Sequence, residues 1–201
     1  EETMTRGMVA TMLYRIANPS STSTTDPSNY GMESSFPDVA IGQWYTAAIE
    51  WAYQRGIVTG YQDGEYAGLF RPDKTVSREE LATMLWRYAK GCGLDVSGGS
   101  IDAFYDADQV SGFALDALAW CNAKGILTGD TTTGIALLNP KNSATRAQAA
   151  KMFDVFSGVV GSSTPDNGGG EDVPFEVTAL SCRMTDEGAG YELWIPSGQV
   201  K

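Results

Sequence analysis

A short pattern occurs three times in this chain: a hydroxyl residue, an arginine, and then a helix-like series of apolar residues. In each copy alanine stands four residues after the arginine, methionine six after it, and leucine or phenylalanine seven after it. The copies begin at Thr5-Arg6, Ser77-Arg78 and Thr145-Arg146. Because they lie about 70 residues apart, they predict an array of repeats.

The copy around Ser77 carries the signals of a helix start. Ser77 is a good N-cap, and Glu80 stands three residues later, so the two side chains are expected to form a capping box. Arg78 then occupies the first helical position, beside backbone N–H groups that favour an anion. This geometry predicts capture of a carboxylate or phosphate. The alternative is a weak surface ion pair between Arg78 and Asp73 or Glu79.

A second set of motifs precedes Arg78 and recurs before Arg146. It comprises a Phe-x-Asp segment, an apolar helical segment with a tryptophan, and a Gly-x-x-x-Gly turn that follows the helix. We expect helices over residues 5–17, 43–55, 78–90 and 147–157. One helix-turn-helix repeat cannot bury both its apolar faces alone, so neighbouring repeats must share a core. The buried face of the second helix is predicted to hold Trp44, Ala48, Ile49, Ala52 and Tyr53.

This ordered set of motifs resembles the S-layer homology domain of bacterial surface proteins. The resemblance covers two full repeats, over residues 36–90 and 104–160, and the second half of another over 1–17. It implies a mainly α fold of tandem helix-turn-helix repeats packed as a pseudo-threefold bundle. It also implies non-covalent binding of an anionic secondary cell-wall polysaccharide, often through pyruvylated sugars, in grooves between repeats.

Several residues are candidates for contact with that ligand. The resemblance assigns this role to the arginines and to the glycines of the turns. Arginine can also bind a carboxylate bidentately through its planar guanidinium. An aromatic ring can stack on a sugar ring, and glycine lets a ligand approach the backbone. The candidate ligand-binding residues are Arg6, Arg78, Arg146, Trp44, Gly60, Gly129 and Asp38.

These assignments have structural alternatives and departures from the family pattern. The alternative role for Trp44 is packing in the core. The alternative role for Asp38, as for Asp106, is capping of a helix or turn. The glutamate of the family's Thr-Arg-Ala-Glu motif is replaced by Met8 and Gln148 in the outer copies. Phe113 replaces Trp44 in the third repeat. The groove served by Arg78 is therefore expected to be the best preserved.

Composition excludes several other classes. The formal net charge is −11 and histidine is absent, which disfavours a duplex nucleic-acid surface and excludes a His-containing triad. The acids Asp106 and Asp108 lie on a predicted loop with no partner nucleophile, so no enzyme is predicted. Asp63 and Glu65 lack a full calcium ligand set. No metal or cofactor is expected.

The cysteines and the apolar runs argue against a zinc protein, a disulfide-rich protein and a membrane-spanning protein. Cys92, Cys121 and Cys182 have neither zinc-site spacing nor an even number for pairing, and Cys121 is expected to pack in the core. No apolar run reaches the roughly 20 residues of a membrane span. The resemblance implies an extracellular, cell-wall or S-layer-associated protein.

Composition also divides the chain into its parts. Residues 18–35 are rich in Ser, Thr and Pro and predict a surface linker. Residues 161–172 form a second, glycine-rich linker. After it the apolar residues alternate, which predicts a β-hairpin-like tail or the start of another domain over 173–201. The leading hypothesis is a wall-anchoring module, and the alternative is a structural spacer or interaction scaffold that kept this fold without glycan binding.

Overall fold

The computed structural model describes residues 2–18, 34–132 and 134–161. Beyond them it gives the backbone of two short strands, β1 (Ser181–Cys182) and β2 (Leu193–Trp194), which pair antiparallel. The predicted linkers over 18–35 and 161–172 lie almost wholly outside the described residues. The rest of the predicted tail also lies outside them, so its hairpin stays a prediction.

The described part of the chain is mainly helical, as predicted. Three turns of 3-10 helix, at Gly64–Tyr66, Ala107–Gln109 and Gly112–Ala114, accompany the α-helices. No described helix is long and apolar enough to cross a membrane. The α-helices are α1 (Arg6–Ala17), α2 (Thr46–Gln54), α3 (Arg78–Gly91), α4 (Leu115–Ala123) and α5 (Arg146–Gly161).

The three arginine helices begin at hydroxyl caps. The Ser77 hydroxyl accepts the Glu80 N–H at 3.2 Å while Glu80 accepts the Ser77 N–H at 2.8 Å, which confirms the predicted capping box. The same reciprocal pair joins Thr145 and Gln148 at the start of α5, with both bonds at 3.2 Å. Thr5 caps α1. Either glutamate or glutamine therefore completes the box in this fold.

The segments that lead into these three helices meet at the centre of the molecule. Met4 N–H donates to the Ala144 carbonyl at 3.0 Å, Ala144 N–H to Val76 at 2.9 Å, and Val76 N–H back to Met4 at 2.9 Å. These three bonds close a ring in which each segment contacts both others. All three side chains are buried, so the ring lies within the core.

The core fills the spaces between successive helices. α2 packs on α1, and α4 packs on α3. Trp51 and Trp120 are fully buried at the centres of α2 and α4. Cys121 is also fully buried, as predicted, and burial raises the pKa of its thiol to about 12.

The prediction for one face of α2 was wrong at two positions. Trp44 and Tyr53 are 41% and 42% exposed, whereas the core tryptophan of this repeat is Trp51. The physical reason is that α2 begins at Thr46, so Trp44 lies in the preceding turn and the helical period does not place it. The rings of Tyr53 and Phe36 pack edge to face, with 5.0 Å between the centroids, and Tyr53 stays partly exposed to solvent.

Candidate ligand-binding grooves

Each arginine at a helix start faces a loop contributed by another part of the array. Arg6 Nε donates to the Phe70 carbonyl at 2.8 Å, and Arg78 Nε donates to the Leu138 carbonyl at 2.7 Å. Arg146 differs, because its side chain is 40% exposed and pairs with Glu2 at 2.6 Å. Cavities lie beside Arg78 and Arg146, and we name them the Arg78 and Arg146 grooves. We name the corresponding surroundings of Arg6 the Arg6 groove.

The Arg78 groove is a cleft of about 440 Å³ between the start of α3, the loop 126–130, residues 139–145 and the first turns of α5. Arg78 is 9% exposed, and Lys151 of α5 lines the same cleft. Among the described residues, no carboxylate lies within ion-pair distance of the Arg78 guanidinium. The alternative of a surface bridge from Arg78 to Asp73 or Glu79 is therefore wrong.

The electrostatics of Arg78 follow from that burial. Burial lowers the pKa of its guanidinium, and the more distant charges of Asp130 and Asp106 oppose that effect. Asp130 also lines the groove, but its Oδ1 atom accepts the Thr132 N–H at 2.9 Å and the Thr132 hydroxyl at 2.7 Å. The bond from the Thr132 N–H and, to a smaller extent, the bond from the Thr132 hydroxyl lower the pKa of Asp130. A buried cation without a close anion favours binding of one from outside.

Two aspartates fix the loops that the arginines contact. Asp106 accepts the N–H groups of Leu138 and Asn139, both at 2.7 Å. Asp38 accepts those of Phe70 and Arg71, at 2.9 and 2.6 Å. These bonds hold the Phe70 and Leu138 segments whose carbonyls accept from Arg6 and Arg78. Direct contact between Asp38 and a ligand stays a prediction.

The turn glycines are needed by the fold itself. Gly60 has φ +67°, and a Cβ atom added to it would lie 2.6 Å from Phe36 Cε1 and 2.9 Å from the Leu69 carbonyl oxygen. Gly129 has φ +44°, and a Cβ atom added to it would clash with the ring of Phe104. The phenyl rings therefore pack directly on the glycines. Approach of a ligand to these backbones stays a prediction.

The Arg6 groove contains a carboxylate of the protein itself. Glu80 Oε1 lies 3.1 Å from both Arg6 Nη1 and Lys74 Nζ, and accepts the Tyr61 hydroxyl at 2.8 Å. The Arg6 guanidinium also lies 4.8 Å from the ring centroids of Tyr61 and Phe70. Burial raises the pKa of Glu80, but Arg6, the Ser77 N–H, Lys74 and Tyr61 outweigh it and lower that pKa.

The Arg146 groove has a more apolar lining than the Arg78 groove. Its cavity of about 310 Å³ lies between α1 and α5. Trp44 lies here, beside Met8, Met12 and Phe153, so the structure brings Trp44 together with Arg146. Neither Trp44 nor Phe113 lines the Arg78 groove.

Sequence reasoning missed two charged residues of the Arg78 groove. Lys151 is three residues after Gln148 on α5, a spacing that puts both on one helix face and that could have revealed it. Asp130 follows Gly129 directly, and nothing in its local sequence distinguishes it from a loop acid. In the described part of the chain, no cluster of three or more His, Cys, Asp or Glu could hold a metal ion.

The fold and its grooves define a helical repeat protein in which arginine side chains at the helix starts line clefts. Residues 35–82 and 103–150 match the family model of the S-layer homology domain and belong to that family. S-layer homology domains are binding modules that attach S-layer and cell-surface proteins to the cell wall. The resemblance identified from the arginine helices and their preceding motifs is thereby confirmed.

Similar regions occur in larger bacterial proteins. The chain is 32% identical over 153 residues to an amylopullulanase of Thermoanaerobacterium thermosulfurigenes, covering 76% of this chain and 7% of that protein. It is 34% identical over 119 residues to exoglucanase XynX of Acetivibrio thermocellus, covering 59% of this chain and 10% of that protein. It is 31% identical over 119 residues to the surface-layer 125 kDa protein of Lysinibacillus sphaericus, covering 59% of this chain and 9% of that protein. The chain thus spans a tenth or less of each of these relatives.

Proposed function

We propose that this chain anchors a bacterial surface protein to the cell wall by binding an anionic secondary cell-wall polysaccharide in the Arg78 groove. The observation that carries the proposal is the buried Arg78 guanidinium, held by the Leu138 carbonyl in a cleft and lacking a close carboxylate among the described residues. A carboxylate on the ligand would supply the missing negative charge.

The local charge of this groove supports an acidic ligand. Nε of Arg78 is engaged by Leu138, which leaves the Nη atoms to form charge-assisted bonds to an incoming carboxylate. Lys151 adds a second cation. A pyruvyl group on a sugar offers one carboxylate on a rigid ring, which suits this pair. The chain as a whole is acidic, with a formal net charge of −11, so these two cations stand out against a negative background.

This proposal is for a binding module without enzymatic activity, located outside the cell at the wall. Relatives of this chain include proteins named for the surface layer and the cell surface, which supports that location. The central ring of hydrogen bonds supports a pseudo-threefold arrangement of the repeats, in which each groove forms between neighbours.

The test is retention of the chain on purified wall polymer with and without pyruvyl groups. We expect salt-sensitive retention that requires the pyruvyl groups and that Arg78→Ala weakens at least tenfold. Lys90→Ala is the matched control, because it removes the same charge from the far end of α3, about 20 Å away. Circular dichroism checks that both variants stay folded.

The scaffold hypothesis makes the opposite prediction. Equal retention of the wild type and of a triple alanine variant at Arg6, Arg78 and Arg146 would overturn glycan binding and favour a spacer. Retention lost equally in Arg78→Ala and Lys90→Ala would show attraction to overall charge rather than to this groove.

A further inference from the structure

The charged side chains that line the Arg78 groove do not balance. Arg78 and Lys151 are positive, Asp130 is negative, and the other lining residues are neutral. The lining therefore carries one net positive charge, which is the charge that a single carboxylate neutralises.

Backbone bonds fix Asp130 relative to Arg78. The Asp130 N–H donates to the Leu137 carbonyl at 2.7 Å, and the Leu137 N–H donates to the Asp130 carbonyl at 2.9 Å. The next residue, Leu138, accepts the Nε–H of Arg78 at 2.7 Å. The acid and the cation are thus attached to adjacent residues of one segment, so a ligand that enters the groove meets both charges in fixed positions.

The Asp130 carboxylate keeps its charge available to a ligand. Its Oδ1 atom accepts two bonds from Thr132, at 2.9 and 2.7 Å, whereas no hydrogen bond or ion pair of the described residues engages Oδ2. Of the two acids that oppose the lowering of the Arg78 pKa, Asp130 has a larger effect than Asp106. The charge of Asp130 therefore acts where the ligand's anionic group would bind.

The fold does not require an acid at this position. Tyr61 follows Gly60 as Asp130 follows Gly129, and its N–H donates to the Leu69 carbonyl at 2.9 Å, as the Asp130 N–H does to Leu137. An uncharged side chain therefore accompanies the same backbone bond in the preceding repeat. The negative charge is a feature of the Arg78 groove and not of the repeat.

We infer that Asp130 determines the charge of the group that the Arg78 groove accepts, so that the groove selects a singly charged carboxylate over a doubly charged group such as a phosphate monoester. The cost of taking an ion out of water grows with the square of its charge, whereas its attraction to fixed charges grows only in proportion to it. By lowering the net charge of the lining to one, Asp130 leaves a second negative charge without compensation. The inference rests on the proposed function and narrows its anionic ligand to one class.

The test compares two sugars that differ only in their charged group. A methyl glycoside with a pyruvyl ketal carries one negative charge, and the same glycoside with a phosphate monoester carries nearly two at about pH 8. Calorimetric titration at low ionic strength should show tighter binding of the pyruvyl sugar to the wild type. Tighter or equal binding of the phosphate sugar would overturn the selectivity.

Asp130→Asn removes the charge and keeps an oxygen that can accept the bonds from Thr132. The affinity should rise about threefold for the pyruvyl sugar and about ninefold for the phosphate sugar, because the relieved repulsion doubles with the ligand's charge and the factor is therefore squared. Asp116→Asn is the matched control, since it removes the same charge from the exposed start of α4, and it should leave both affinities unchanged.

A second measurement separates this inference from the polysaccharide. Sodium formate and sodium sulfate are titrated at matched ionic strength while the Nε–H resonance of Arg78 is followed by NMR. Asp130→Asn should strengthen the sulfate response by the square of its effect on formate. Equal factors for the two anions would overturn the inference whether or not either sugar binds. The expected responses to simple anions without binding of either sugar would overturn only the proposed ligand, and an Arg78 resonance that no anion shifts would overturn both.

Discussion

Gly60→Ala gives a sharp test of how the loop at the Arg6 groove is built. Gly60 has φ +67°, and the ring of Phe36 packs against the place where a side chain would begin. Phe36 is 3% exposed and contacts Phe70, with ring centroids 5.4 Å apart. The substitution therefore perturbs the loop that carries the carbonyl partner of Arg6.

The expected cost has two parts. A left-handed backbone costs a residue with Cβ about 1–2 kcal/mol. The added carbon would lie 2.6 Å from Phe36 Cε1 and 2.9 Å from the Leu69 oxygen, and overpacking of this kind costs about 1–3 kcal/mol. The total loss in the free energy of unfolding is about 2–5 kcal/mol. For a chain of this size, each kcal/mol lowers Tm by about 2–4 °C.

Gly64→Ala is the matched control, because Gly64 has φ +71° and no atom within 4 Å of an added Cβ. It should show the backbone cost alone. Urea denaturation followed by circular dichroism measures both variants, and Gly60→Ala should lose about 1–3 kcal/mol more than Gly64→Ala. Equal losses would refute the contact between Phe36 and Gly60 as the reason for glycine at this position.

Three further outcomes are expected from urea denaturation. Ser77→Ala should lose about 1 kcal/mol by removing the N-cap of α3, whereas Ser77→Thr should lose less. Because the pKa of Glu80 is lowered in the folded chain, the Glu80 carboxylate stabilises the fold above pH 4.5, its ordinary pKa, and this stabilisation is lost as the pH falls through the lowered pKa. The difference in stability between the wild type and Glu80→Gln should therefore shrink below pH 4.5. A constant difference would contradict this. Asp106→Asn should lose about 1–3 kcal/mol, because the Leu138 and Asn139 N–H groups bond to different oxygens of Asp106 and an amide replaces one of these oxygens with an NH2 donor. Unchanged stability would show that the loop keeps its shape without these two bonds.

The helices could be predicted because their signals are local. A hydroxyl cap, a residue that completes the box three positions later and an apolar stripe fall within one or two turns, so α3 begins at Arg78 as expected. The Gly56 turn is equally local: Gly56 has φ +66° and follows the end of α2.

The content of the grooves could not be predicted in the same way. Glu80 and Arg6 lie 74 residues apart, and a capping role alone gives no sign that one oxygen of Glu80 also faces another helix. Trp44 was misplaced because its side chain sits before the helix whose period was used to place it. Such contacts depend on how the repeats pack, which a single sequence pattern does not specify.

The ring joining Met4, Val76 and Ala144 has a consequence for synthesis and assembly. In an open solenoid a unit contacts only its sequence neighbours, so units can be added at either end. Here the Met4 segment bonds directly to the Ala144 segment, and a unit inserted into the ring would separate them. The Met4 N–H gains its partner in the ring only after residue 144 has left the ribosome, which makes closure of the ring a late, long-range folding event.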